Sequence, residues 1–197
     1  MFSEFLVYLR LGFEHITNPG GLDHLLFVAV LTAADVDRPK HLFWLVTAFT
    51  LGHSLTLALA TLHLVSVGSA AVEVLIPLTI IVTCVVNAVS WKQSKRQPVL
   101  AVRADHVRYG LAAGFGLVHG LGFSSFLRAA LGAEEGILLP LFAFNTGLEV
   151  GQLAIVAALV LAAAVLMRAG GLRRSAWTLG VSGAAAVAAG LMVVERI

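Results

Sequence analysis

Residues 13–27 read FEHITNPGGLDHLLF and place four ionisable side chains around a helix-breaking Asn-Pro-Gly-Gly sequence. Proline lacks the backbone N–H that a continuing helix needs, and paired glycines weaken a helix further. The apolar residues on either side predict a helix over residues 2–17, a break, and a second helix that resumes at Leu22. Such a discontinuous helix is a device by which transporters bring a helix end to a substrate.

The composition is typical of an integral membrane protein. Of the 197 residues, 59% are hydrophobic and 12% are charged, and the mean hydropathy is +0.94. A spanning helix needs about 20 mostly apolar residues, so the length allows roughly six or seven spans in a single polytopic membrane domain over residues 1–197. We predict an all-α membrane protein with about six transmembrane helices and an N-terminal amphipathic or broken helix over residues 1–18.

Apolar runs between turn and charge signals predict the individual spans. These are residues 21–34, 41–64, 71–91, 106–131, 137–167 and 175–194. The first span would reach only about 21 Å, less than the ~30 Å hydrocarbon core, so it cannot cross the membrane without help. Basic residues concentrate in loops 92–108 and 168–175, so the positive-inside rule predicts that these loops are cytoplasmic. Both ends of the six-span unit then face the outside.

Several classes of function are excluded by composition and motifs. The net charge of +2 comes from loops that must face the cytoplasm, so we expect no nucleic-acid partner. The single cysteine, Cys84, rules out an internal disulfide framework and a multi-thiolate metal cluster. No G-x-x-x-x-G-K-[ST] loop is present, so ATP is not expected as a partner. The expected partners are the lipid bilayer and a divalent metal ion, and a homo-oligomer is compatible with the sequence.

Three ionisable residues fall near the middle of three predicted spans: His53, His119 and Glu149. An ionised side chain at that depth is costly unless it meets a partner or water. His119 and Glu149 each lie inside a G-x-x-x-G frame, residues 116–120 and 147–151, which allows close approach of two helices. We therefore expect these side chains to face one another and to form one functional site together with Asp23 and His24.

Imidazole and carboxylate ligands suit borderline divalent cations, and the scarcity of Cys and Met in the spans argues against Cu⁺. The predicted metal ligands are Asp23, His24, His53, His119, Glu149 and His15. Supporting polar side chains are predicted at Glu73, Asn87, Asn145, Gln152 and Ser54. Asn87 is expected to be an interhelical hydrogen-bonding group more than a ligand, and Glu73 is equally compatible with a helix-start carboxylate. No prosthetic group is predicted, because the metal would be transported or bound substrate.

Three functions are compatible with this set of residues. A divalent-metal permease ranks first, because the ligands follow a path from the outer side to the middle of the membrane. A zinc-dependent intramembrane hydrolase is an alternative, with Ser54, Ser124 and Ser125 near the histidines. A non-transporting metal sensor or accessory membrane subunit is the third. We predict a secondary transporter or facilitator and not an enzyme.

Five stretches together resemble the HupE/UreJ family of bacterial nickel permeases: GLDHLLF, FTLGHSLTL, GLVHGLGF, FNTGLEVGQL and LGVSGAAAVAAGLMVVERI. The resemblance extends over nearly the whole chain. It implies a permease with six or seven spans that moves Ni²⁺, with Co²⁺ as an alternative, in support of hydrogenase or urease maturation. It also implies metal-site roles for His15, Asp23, His24, His53, Asn145 and Glu149. Seven residues separate His15 from Asp23 in this chain, more than is usual in the family.

Overall fold

In the computed structural model of the protein, the described residues are 2–94, 99–131 and 136–197, without the side chains of 91–94, 99–104, 124–126 and 128–131. These residues form helices and no strand. The helices are α1 (Phe2–Thr17), α2 (Leu22–Ala33), α3 (Pro39–Thr61), α4 (Ser69–Ser94), α5 (Val99–Leu131), α6 (Leu138–Arg168) and α7 (Arg174–Arg196). The all-helical class is confirmed. Helix α5 begins at Val99, earlier than the predicted residue 106, because Leu100, Ala101 and Arg103 have good helix propensity.

The predicted break between α1 and α2 is confirmed. Helix α1 ends at Thr17 and α2 begins at Leu22. The Asn18 side-chain oxygen accepts a hydrogen bond from the Gly20 N–H at 2.8 Å, and the Asn18 carbonyl accepts one from the Gly21 N–H at 2.9 Å. The turn therefore satisfies backbone groups that the interrupted helix leaves without partners.

Four helices of the described chain are long and apolar enough to cross a membrane. They are α3, residues 69–90 of α4, α6 and α7. Helix α2 is apolar but has only 12 residues. The predicted count of six spans is thus not confirmed. Parts of two predicted loops, residues 95–98 and 132–135, lie outside the described residues.

The two G-x-x-x-G frames form close helix contacts, as predicted. A Cβ atom on Gly116 of α5 would collide with the Phe49 carbonyl of α3, and Gly120 has equally little room. A Cβ atom on Gly147 of α6 would collide with the Leu9 carbonyl of α1. Backbone-to-backbone contact of this kind requires glycine. It fixes α3 against α5 and α1 against α6.

The short helix α2 is secured at its last turn by side chains from other helices. Asn87 of α4 donates a hydrogen bond to the Val30 carbonyl at 2.8 Å. From α7, Thr178 and Arg174 donate to the carbonyls of residues 33 and 34 at 2.8 and 3.0 Å. The last carbonyls of a helix have no intrahelical partner, and in an apolar environment each would be costly to leave unpaired. These contacts hold the end of α2 against α4 and α7.

Candidate metal centre

The break between α1 and α2 brings two histidines together. His15 lies in the last turn of α1 and His24 in the first turn of α2. Their ring centroids are 4.7 Å apart in an edge-to-face arrangement. The longer spacing between His15 and Asp23 therefore does not separate His15 from the Asp-His pair, because the turn folds the two helix ends onto each other.

His53 of α3 completes a group of three histidines. One ring nitrogen from each of His15, His24 and His53 lies within 4.8 Å of the other two. Nitrogens bound to one metal ion at about 2.1 Å are roughly 3 to 3.5 Å apart, so a small inward rotation of the rings would suffice. His24 is buried and His53 is fully buried. The three imidazoles can therefore hold one cation between α1, α2 and α3.

His119 of α5 lies beside this group. Its ring centroid is 5.0 Å from that of His24. Its Nδ1 is 2.8 Å from the Phe115 carbonyl oxygen, which can only accept, so in the neutral ring Nδ1 carries the proton. Its Nε2 is then an unprotonated nitrogen with a free lone pair. His119 is a candidate fourth ligand from a different helix.

The four histidines share a second property, which is that ring nitrogens remain unpaired. The buried atoms without a hydrogen-bond partner in the described chain include Nε2 of His15, His24 and His119 and both nitrogens of His53, and elsewhere both nitrogens of His41 and Nε1 of Trp177. Buried polar atoms are almost always paired, since leaving one unpaired costs about 1–3 kcal/mol. Four histidines with this property lie together here, which makes their cluster the candidate site for a ligand.

Phenylalanine rings pack against the histidines. The Phe123 ring centroid is 3.9 Å from that of His15, and Phe49 and Phe27 lie 5.2 and 5.5 Å from His119. These residues were not predicted as part of the site. Their spacing could have indicated it, because Phe49 precedes His53 by four residues and lies on the same helix face.

Three of the four histidines line a cavity of about 540 Å³, which we call the histidine cavity, and His53 is not among its lining residues. Its lining includes His15, His24 and His119 at depth, and exposed residues such as Val67, Ser69 and Glu73 at the start of α4. The cavity therefore connects the buried imidazoles with the surface. Glu73, a predicted supporting residue, lies at this rim.

Asp23 lies in the histidine cavity but faces His24 and Arg196. Its Oδ1 is 3.8 Å from Nδ1 of His24, and its Oδ2 is 3.4 Å from the guanidinium of Arg196. A carboxylate on one imidazole nitrogen orients the ring and leaves the other nitrogen for a metal. Asp23 also offsets the positive end of the α2 dipole, which disfavours a cation. Arg196 was not predicted as part of the site.

Asn145 also lies at the site. Its side chain is close enough to His53 to interact with the ring, and its Oδ1 is buried without a hydrogen-bond partner in the described chain. Its amide nitrogen donates to the Leu141 carbonyl at 2.8 Å. The remaining predicted residue in this part of α6, Glu149, is directed elsewhere.

The structure does not bring Glu149, Gln152 and Ser54 to the histidine cavity. Glu149 accepts a hydrogen bond from Thr47 at 2.7 Å, and Gln152 accepts one from Thr50 at 2.9 Å, both across the contact between α3 and α6. The Ser54 hydroxyl donates to the Thr50 carbonyl of its own helix at 2.6 Å. A metal-ligand role for Glu149 therefore stays a prediction. The side chains of Ser124 and Ser125 lie outside the described residues.

Asn87, the last predicted supporting residue, bonds to other helices as expected. In addition to the Val30 carbonyl, its amide nitrogen contacts the Ser182 hydroxyl at 3.2 Å, and its oxygen is 3.4 Å from the Arg108 guanidinium. It links α2, α4, α5 and α7 at a distance of almost four turns along α4 from Glu73 at the cavity rim.

A second polar region, not predicted as a unit, lies past the other end of α2. We call it the charged cluster, and its members are Asp35, Arg38, His41, Asp105 and Arg108. Arg38 donates two hydrogen bonds to Asp105 at 2.9 and 2.6 Å, and Arg108 is 2.8 Å from Asp35. The Arg38 guanidinium holds the pKa of Asp105 below its ordinary value. His41 lies 3.2 Å from Asp35.

A comparison with protein families gives one match over nearly the whole chain. The model of the family described as HupE / UreJ protein matches residues 1–196. No curated protein and no solved structure matches the chain. The matched residues include every histidine of the cavity.

Proposed function

Since the chain belongs to the HupE/UreJ family, we propose that it is a permease that takes up Ni²⁺ across the bacterial inner membrane, with Co²⁺ or Zn²⁺ as alternative substrates. Family membership and several long apolar helices make it a multi-pass membrane protein of a metal-transport family. The observation that carries the proposal is the convergence of His15, His24 and His53 within 4.8 Å, with two of the three, His15 and His24, lining a cavity that reaches the surface. The identity of the ion and the direction of uptake go beyond the family match.

The donor set favours a borderline divalent cation. Imidazole nitrogens suit Ni²⁺, Co²⁺ and Zn²⁺, whereas Mg²⁺ and Ca²⁺ prefer oxygen ligands. The sole cysteine, Cys84, is buried in the apolar core with Phe27 and Ile80, so it offers no thiolate to the cavity. Neutral imidazoles also release a metal more readily than thiolates do, which suits a site that must load and unload.

The proposed direction of transport rests on charge. The cavity opens beside residues 67–73, while the charged cluster lies at the other end of α2, near the basic loops that the positive-inside rule assigns to the cytoplasm. The histidine cavity would then face the periplasm. Protons compete with metals for imidazole nitrogens, which offers a physical means of coupling uptake to a proton gradient.

The test is uptake by the purified protein in liposomes. His24→Asn and His53→Asn each remove one of the three converging imidazoles, and we expect each variant to lose at least about tenfold in Ni²⁺ uptake. His63→Asn is the matched control, because His63 is exposed with a φ of 60°, a conformation that asparagine tolerates.

Uptake by the wild-type chain alone would also exclude a sensor or accessory subunit that requires a partner. Normal uptake by both cavity variants, at wild-type protein levels, would contradict the proposal. Uptake that falls equally in His63→Asn would mean that the losses do not report on the cavity.

A further inference from the structure

Arg196 of α7 occupies a position that a cation-binding cavity should disfavour. Its guanidinium lines the histidine cavity and lies 3.4 Å from Oδ2 of Asp23. The two side chains are only 27% and 15% exposed, so their charges are weakly screened by solvent. A fixed positive charge in a cavity lined by three imidazoles repels the divalent cation that the site is proposed to take.

A proline in α4 explains how Arg196 is held there. Pro77 has no N–H, so the Glu73 carbonyl one turn earlier lacks its helical hydrogen bond. Nη1 of Arg196 donates to this carbonyl at 2.8 Å, while Nη2 faces Asp23. The side chain is therefore anchored at one nitrogen by a backbone group, and the other nitrogen is directed at the carboxylate.

We propose that Arg196 is a built-in competitor of the transported cation: it neutralises Asp23 in the metal-free protein and lowers the affinity of the histidine cavity for a divalent metal. This inference rests on the proposed function and adds a residue that sets affinity. Asp23 is the acidic group that contacts both His24 and Arg196. A cation on Nε2 of His24 and the guanidinium of Arg196 would therefore both be attracted by the same carboxylate.

The consequence for transport is easier release. A permease site that binds too tightly cannot unload its ion. With Arg196 present, binding must either displace the guanidinium from Asp23 or tolerate its repulsion, and both weaken the bound state. As the ion leaves, Arg196 pairs with Asp23 again, so the carboxylate is not left without a counter-charge in a partly buried position.

The experiment compares Ni²⁺ binding, by calorimetry on the purified full chain, between wild type, Arg196→Gln and Arg196→Lys. We expect Arg196→Gln to bind Ni²⁺ about tenfold more tightly, since one nearby charge shifts the equilibrium of a buried group by this order. Arg196→Lys keeps the charge and should remain within about threefold of wild type. In liposomes, Arg196→Gln should lower both KM and the maximal uptake rate, a combination that mere misfolding does not produce.

Arg174→Gln is the matched control. Arg174 lies on the same helix, and its guanidinium is 2.8 Å from Asp37 at the opposite end of α2. Its replacement should leave Ni²⁺ affinity unchanged. A second control is the Asp23→Asn background, in which the tightening caused by Arg196→Gln should shrink, because the shared carboxylate is gone.

Unchanged or weaker Ni²⁺ binding by folded Arg196→Gln would overturn the inference, as would an equal tightening by Arg174→Gln. Neither result would contradict the proposed function, provided that the wild-type chain binds and transports Ni²⁺. Absence of Ni²⁺ binding by the wild-type chain itself would instead contradict the proposed function.

Discussion

The histidine cavity and the charged cluster lie at opposite ends of α2 and differ in what surrounds their buried polar groups. In the cavity, imidazole nitrogens are packed against phenylalanine rings and lack partners in the described chain. In the charged cluster, Asp35 and Asp105 each have an arginine within 3 Å. The two nitrogens of His41 make no hydrogen bond there, but they lie 3.2 and 3.5 Å from these two carboxylates, so opposite charge surrounds them. A buried group without a partner is costly unless a ligand supplies one, whereas a paired group can hold helices together. The charged cluster therefore suits a structural role, whereas the imidazoles of the cavity are the groups on which the proposed metal site depends.

The largest expected effect is in the charged cluster. Asp35→Asn leaves the Arg108 guanidinium, only 9% exposed, without its closest carboxylate. Breaking such a buried pair typically costs about 3–5 kcal/mol, so we expect a loss of this size in the free energy of unfolding. Denaturant titration of the purified protein measures it.

The control for that prediction is Asp37→Asn. Asp37 is 57% exposed and pairs with Arg174, which is 40% exposed, so the same substitution should cost at most about 1 kcal/mol. Equal destabilisation by the two variants would remove the distinction between the charged cluster and an ordinary surface ion pair. Ni²⁺ affinity of folded Asp35→Asn should match that of wild type.

The next largest effect is at the histidine cavity, where we expect Ni²⁺ affinity to fall while stability is retained. His119→Leu removes the unpaired Nε2 and should weaken Ni²⁺ binding about 10- to 100-fold. The same change should not lower the free energy of unfolding by more than about 1 kcal/mol, because an unsatisfied polar group is replaced by an apolar one of similar size. Calorimetry and denaturant titration on one preparation give both quantities. Unchanged Ni²⁺ affinity would exclude His119 from the ligand set.

The all-helical class and the break between α1 and α2 were predictable from local sequence patterns, whereas the predicted number of spans is not confirmed. The Asn-Pro-Gly-Gly break, the ends of α1 and α2 and the close contacts of the two glycine frames follow from backbone chemistry that depends on a few neighbouring residues. Counting residues from the ends of the predicted spans also placed His53 and His119 at a similar depth in the membrane. All of these predictions use only residue types and their spacing along the chain.

Features that depend on how helices cross were not predictable in this way. Asn145 and Glu149 share a helix face, yet only Asn145 reaches His53, while Glu149 meets Thr47, six residues earlier on α3. The contact between Arg38 and Asp105 joins residues 67 positions apart, and the one between Asp23 and Arg196 joins residues 173 apart. Pattern and spacing carry no information on such pairs.

The smallest expected effect is at Glu149, which lies between the two regions. Its substitution tests how far the proposed metal site extends along α3. Its carboxylate accepts from Thr47, and a glutamine oxygen can accept the same hydrogen bond. We therefore expect Glu149→Gln to change Ni²⁺ affinity less than about threefold, compared with the much larger loss in His24→Asn. Calorimetry on both variants checks this. A loss as large as that of His24→Asn would make Glu149 a ligand, and the metal site would then extend from the histidines along α3 toward the charged cluster.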